Sequence, residues 1–165
     1  MNEKLDRLVG ALRHELQQYG EMLALFERQQ DHLMKRNSDE VLSSVTLINA
    51  QSGAIHEARR DRVERLQELS EALSIPPDGT LKTLLPALPA SRRPQVQALM
   101  DENNRLLGRI QQRARQNHLM LSHSLEHMTR FLHSIMGSNQ RRTYDGGGAL
   151  AGSPLPGHFL YEAVG

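Results

Sequence analysis

The sequence predicts an all-α protein: an elongated antiparallel bundle of three long helices, with a short Pro-flanked helix between the second and third and a flexible C-terminal tail. Three observations lead there. Apolar residues recur at spacings of three, four and seven along most of the chain. Leu, Gln, Arg, Glu and Ala, all good helix formers, dominate the composition. Aromatic residues make up only 4% and Trp is absent, fewer than a β-sandwich or a base-stacking platform uses.

The first helix is expected from Asn2 to about Arg36. Leu5, Leu12, Tyr19, Phe26 and Leu33 recur every seventh residue, and Leu8, Val9, Leu16, Met22 and Leu23 lie beside that line. Such spacing collects them on one face. Asn37-Ser38-Asp39 breaks the pattern, and each of these side chains is able to cap the next helix. The second helix is expected over about 39–73, with Val41, Val45, Ile48, Ile55, Leu66, Leu69 and Leu73 as its apolar face. Its charged stretch from Glu57 to Arg65 reads as a solvated face with local ion pairs.

Five of the seven prolines fall between Pro76 and Pro94. Pro76-Pro77-Asp78-Gly79 ends the second helix and turns the chain. A short helix fits about 80–85, and Pro86 and Pro89 prevent its extension. The third helix is expected over about 91–136, with Ser91 as N-cap, Pro94 in the tolerated first turn and Gly137 as a natural stop. Met100, Leu107, Ala114, Leu121, Met128 and Ile135 repeat every seven residues, and the face widens in its second half. Residues 1–137 are therefore expected to form the bundle. Residues 138–165, with six glycines and two prolines, are expected to form a flexible tail. Two islands with aromatic residues interrupt that tail, at Thr143-Tyr144-Asp145 and at His158-Phe159-Leu160-Tyr161-Glu162-Ala163-Val164.

The remaining composition excludes more than it assigns. The 165 residues carry 20 Lys and Arg against 19 Asp and Glu, a net charge of +1 that requires neither nucleic acid nor an anionic membrane. Without cysteine there is no disulfide, thiolate nucleophile or Cys-based metal site. The N-terminus lacks the continuous apolar stretch of a signal peptide, and no run reaches the roughly 20 apolar residues that span a bilayer, so a cytoplasmic address is expected. His123 and His127 are four apart, but Ser124 stands where a zinc protease places Glu, and no carboxylate cluster adds a third ligand. No nucleophile elbow or phosphate-binding loop occurs. The reading is a binding protein without catalytic residues, metal or cofactor. The third helix is basic and the second acidic, which complementary antiparallel helices explain better than RNA binding.

Three features together resemble the FlgN family of flagellar export chaperones. Two long helices precede a Pro-rich connection and one longer helix. Asp101-Glu102-Asn103-Asn104-Arg105-Leu106-Leu107 is similar to that family's paired Asn followed by two apolar residues. Thr143-Tyr144-Asp145-Gly146 looks like its Thr-Tyr element followed by Gly. The resemblance covers about residues 1–148. It implies a chaperone that binds the C-terminal amphipathic helices of the hook-associated proteins FlgK and FlgL and delivers them to the export gate protein FlhA, with Tyr144 docking on the gate's cytoplasmic domain. A cargo groove would draw on Leu106, Leu107, Ile110, Met120, Leu121, Leu125, Met128 and Leu132 of the third helix. The same residues also read as internal core. Asn103 and Asn117 fall on the apolar seam, where polar residues set register. The other reading is a structural coiled-coil adaptor without export cargo, and the wide stripes also suit a homodimer.

Overall fold

The computed structural model describes residues 2–76 and 80–140; of residues 131 and 135–140 only the backbone is described. Helices account for nearly all of it: α1 (Asn2–Met34), α2 (Ser38–Ala72), α3 (Leu81–Leu84), a 3-10 turn (Leu85–Ala87) and α4 (Arg93–Gln140). No strand occurs among the described residues. Residues 1–126 make up one compact unit, and a second begins at His127, of which the helical part to Gln140 is described.

The heptad line of α1 forms the centre of the first unit. Leu5, Leu8, Val9, Leu12, Tyr19, Met22, Leu23 and Phe26 are all buried. Helix α2 runs antiparallel to α1, since Lys4 meets Glu68, Gln18 meets Gln51 and Gln29 meets Ser44. Helix α4 runs parallel to α1. Asn103 bonds to Leu12 and Asn117 to Phe26, each pair 91 residues apart. The three long helices are thus arranged up, down and up.

The apolar core forms two clusters. One joins Leu5, Leu8, Val9 and Leu12 to Leu66 and Leu69 of α2, Val96 of α4, and Leu81, Leu84 and Leu88 of the Pro-rich connection. The other joins Tyr19, Met22, Leu23 and Phe26 to Ile110, with Ile48, Ile55, Leu106, Leu107 and Ala114 packed against it. The connection is therefore more than a spacer. Leu81, Leu84 and Leu88 follow a spacing of three and four, and burying each contributes roughly 1.5–3 kcal/mol. Pro86 lies in the 3-10 turn, where its fixed φ is tolerated.

Helix ends differ from expectation for local reasons. Helix α1 stops at Met34, and Arg36 adopts φ 54. The Arg36 amide donates to the Leu33 carbonyl at 3.1 Å and the Asn37 amide to His32 at 3.0 Å. These are the two bonds of a Schellman motif. Helix α2 ends the same way: Ser74 has φ 54, its amide donates to Glu71, and the Ile75 amide donates to Ser70. Asn37 is the N-cap of α2, but its side chain makes no capping bond. Helix α4 begins after Ser91, with the Val96 amide donating to the Arg92 carbonyl. It also continues through Gly137 to Gln140. A glycine inside a helix costs only about 1 kcal/mol and ends it only where the chain turns left-handed.

Arg36 and Ser74 occupy the left-handed region without being glycine, a cost of about 1 kcal/mol each. Ser74→Gly is expected to stabilise the protein by about 0.5–1 kcal/mol in urea unfolding, because a left-handed C′ position favours glycine. A loss of stability in this variant would contradict the helix-end geometry.

Candidate functional site

Four residues on the α4 seam, seven apart, are buried against α1: Val96, Asn103, Ile110 and Asn117. Apolar and polar side chains alternate along this line. The Asn103 amide donates to the Leu12 carbonyl at 3.1 Å, and the Asn117 amide donates to the Phe26 carbonyl at 2.8 Å and to Gln29 Oε1 at 3.0 Å. Gln29 Nε2 then donates to Ser44 Oγ at 3.1 Å, and Ser44 Oγ donates to the Val41 carbonyl. A buried polar relay therefore runs from α4 through α1 to α2. Among the described residues Asn103 Oδ1 and Asn117 Oδ1 have no hydrogen-bond partner. Asn104, next to the seam, is exposed.

A second polar layer joins α1 to α2. Glu15 is buried, and its carboxylate lies 2.7 Å from Arg62 and 3.7 Å from Arg59. The Tyr19 hydroxyl donates to Glu15 at 2.9 Å and accepts from Arg59 Nε at 2.9 Å. Gln51 donates to the Gln18 side chain at 2.8 Å. The charged stretch of α2 is thus only partly a solvated face. Arg65 pairs locally with Asp61 and Glu68, whereas Arg59 and Arg62 turn towards α1. Glu15, Gln18 and Gln29 escape a reading based on apolar periodicity. The available signal is that each sits three or four residues from a core position of α1. Burial, with the Glu15 carboxylate close by, pushes the Tyr19 hydroxyl from 10.0 up to about 12.

The eight residues expected to form a cargo groove separate by position along α4. Ile110 is core, and Leu106 and Leu107 are half-buried against the same cluster. Met120 and Leu121 are half-buried. Leu125, Met128 and Leu132 are exposed by 65%, 63% and 51%. Leu119, off the heptad line, is 58% exposed and was not indicated by periodicity. Large exposed side chains at i, i+3 and i+7 are the anchors of helix-in-groove recognition. A second apolar surface lies between α1 and α2, where Ala24, Leu25, Leu47 and Ala50 line a shallow groove. Tyr144 lies outside the described residues.

The histidines of α4 form no ligand set. His123 lies 3.9 Å from Glu126, and no group of three metal-ligating side chains occurs among the described residues. No helix among them is long and apolar enough to cross a membrane.

Over residues 1–152 the sequence matches the protein family described as FlgN protein. No curated protein and no solved structure gives a significant match.

Two predictions follow from the polar layers. Asn117→Ala and Gln29→Ala are each expected to destabilise by about 1–2 kcal/mol. Their double-mutant cycle should show a coupling of at least about 0.5 kcal/mol, whereas additive losses would show that the relay carries no shared energy. Tyr19 favours its neutral form in the folded state. Its stabilisation is therefore complete below pH 10.0 and is lost as pH rises towards about 12. Tyr19→Phe should lose less stability than the wild type between pH 10 and 12 in alkaline unfolding; identical slopes would show that Tyr19 is not the titrating group.

Proposed function

The chain belongs to the FlgN family, a family of flagellar export chaperones, and from that premise we propose that it works in the cytoplasm on the hook-associated proteins FlgK and FlgL. It binds their C-terminal amphipathic helices, prevents premature association and delivers them to FlhA at the export gate. The observation that carries this reading is the exposure of Leu125, Met128 and Leu132, at i, i+3 and i+7 on α4. An amphipathic helix waiting for assembly exposes an apolar stripe that aggregates unless covered. Leucine and methionine at helical spacing cover such a stripe, and methionine adapts its shape to more than one cargo.

Ile110 contributes to this surface from beneath, by holding α4 on α1, while the exposed leucines and Met128 make the contacts. On this reading Leu106, Leu107, Met120 and Leu121, all half-buried, add to the contact surface. By family resemblance, Tyr144 docks on the cytoplasmic domain of FlhA. Neither step requires a nucleotide, metal or other cofactor: release follows from handover between two protein surfaces. An adaptor that joins copies of itself through the α4 stripe is the second reading, favoured by the same exposed residues.

Co-purification of the full chain with C-terminal fragments of FlgK and FlgL tests both readings. Leu125→Ser and Leu132→Ser, each alone, are expected to weaken cargo binding about tenfold or more while thermal unfolding stays unchanged, since each removes a buried leucine contact only in the complex. Tyr144→Ala should leave cargo binding intact and weaken binding to the FlhA cytoplasmic domain. Failure to capture either fragment, with a dimer in solution that Leu132→Ser dissociates, would replace the chaperone reading with the adaptor.

A further inference from the structure

Helix α4 carries no Asp or Glu between Glu102 and Glu126, yet holds Arg105, Arg109, Arg113 and Arg115 there. Three of these, at i, i+4 and i+8, lie along one face. Like charges at this spacing repel and weaken a helix, so the face is costly unless something opposes it. The molecule opposes it only in part. Arg105 pairs with Glu102 one turn away, and Arg109 lies 3.8 Å from Glu27, with both side chains about half exposed. Exposed pairs at such distances hold weakly. Arg113 is half-buried, and its guanidinium donates to Gln30 Oε1 at 2.7 Å and Gln116 Oε1 at 3.4 Å. Among the described residues both its partners are neutral amides, so a partly desolvated cation lacks a counter-charge. Arg109, Gln112, Arg113 and Gln116 line an open cleft at this point.

We propose that the Arg105–Arg109–Arg113 face of α4 is a docking surface for an acidic helical segment of a protein partner, with a carboxylate received in the cleft at Arg113. Guanidinium groups one helical turn apart match carboxylates at i and i+4 on a helix laid alongside. The planar fork favours two-point bonding to each carboxylate. The amides of Gln112 and Gln116 supply further donors at the rim. Peptide carboxylates fit better than nucleic-acid phosphates. Glu102 and Glu27 stand at the edges of the face and would repel a continuous phosphate backbone, and no aromatic side chain lines the cleft for base stacking. The arginines are distinct from Leu125, Met128 and Leu132, the exposed contacts assigned to cargo, and the proposal does not depend on which cargo binds there.

The test uses the full chain and an alanine-based peptide of about 20 residues, long enough to form an isolated helix, with Glu at every fourth position. Its counterpart carries Gln at the same positions, and a single-stranded oligouridylate of similar length supplies phosphates. Fluorescence anisotropy is expected to show binding of the Glu peptide, weakening as salt rises, and little binding of the Gln peptide. Arg109→Gln/Arg113→Gln should weaken the Glu peptide about tenfold or more. Arg115→Gln removes the same charge from another face of the helix and should change affinity less than about twofold. If the double variant loses helicity, Arg109→Gln alone gives the readout. No binding by the wild type, equal binding of the Gln peptide, an equal effect of Arg115→Gln, or tighter binding of the oligouridylate would each overturn the proposal.

Discussion

The two asparagine-to-carbonyl bonds between α4 and α1 set the frame for the rest of the bundle. Asn103 and Asn117 are 14 residues apart, as are Leu12 and Phe26, so the bonds repeat after two heptads on both helices. The seam of α4 alternates Val96, Asn103, Ile110 and Asn117. A slip by one heptad would still set main-chain carbonyls opposite both amides, but it would part Asn117 from Gln29 Oε1, its side-chain acceptor. Each buried amide left without its acceptor costs about 1–3 kcal/mol. A purely apolar seam would accept such a slip at little cost. The bond from Asn117 to Gln29 therefore favours the observed register of α4 on α1. Among the described residues the two Oδ1 atoms meet no partner, and burying them so costs stability.

The same preference for polar contacts divides the core. Glu15 with Arg59 and Arg62, Gln18 with Gln51, and Gln29 with Ser44 hold α2 on α1 through directional bonds. Apolar burial on α2 concentrates at Leu66 and Leu69, beside the leucines of the Pro-rich connection. Towards its start, α2 leaves Leu42 and Leu47 exposed. Apolar packing of α2 is thus fullest at one end of the first unit and thinner at the second cluster, and directional bonding supplies alignment along its length. Under the proposed function, in which amphipathic helices are the cargo, this division is useful. A core read only by hydrophobicity would compete with its own ligands, whereas one aligned by hydrogen bonds rejects a foreign helix that lacks the matching groups.

Helix α4 combines three surfaces on one element. Its seam faces α1, its arginine face lies along the α1 side near Glu27 and Gln30, and its later leucines and Met128 are exposed. One long helix can carry all three because the arginines lie round the axis from the seam, while Leu125, Met128 and Leu132 lie further along the helix on the seam's own side. Membership of the FlgN family gives these surfaces a setting in flagellar export.

The sequence by itself determined the helices, because helical periodicity is a local property. The heptad line from Leu5 to Phe26 became the core of α1, and the three long segments lie within a few residues of their expected bounds. It also placed polar residues on the α4 seam at Asn103 and Asn117. It did not reveal that Arg59 and Arg62 face Glu15, since a charged run looks the same whether it meets water or a buried partner. Nor did it show that Leu81, Leu84 and Leu88 fill one end of the core, since three leucines among prolines form too short a pattern to have a face. Which apolar residues of α4 are core was decided only by tertiary structure. Ile110 and Leu125 look alike in the sequence, but burial depends on whether α1 lies opposite, and periodicity along one helix carries no information about where its neighbour ends.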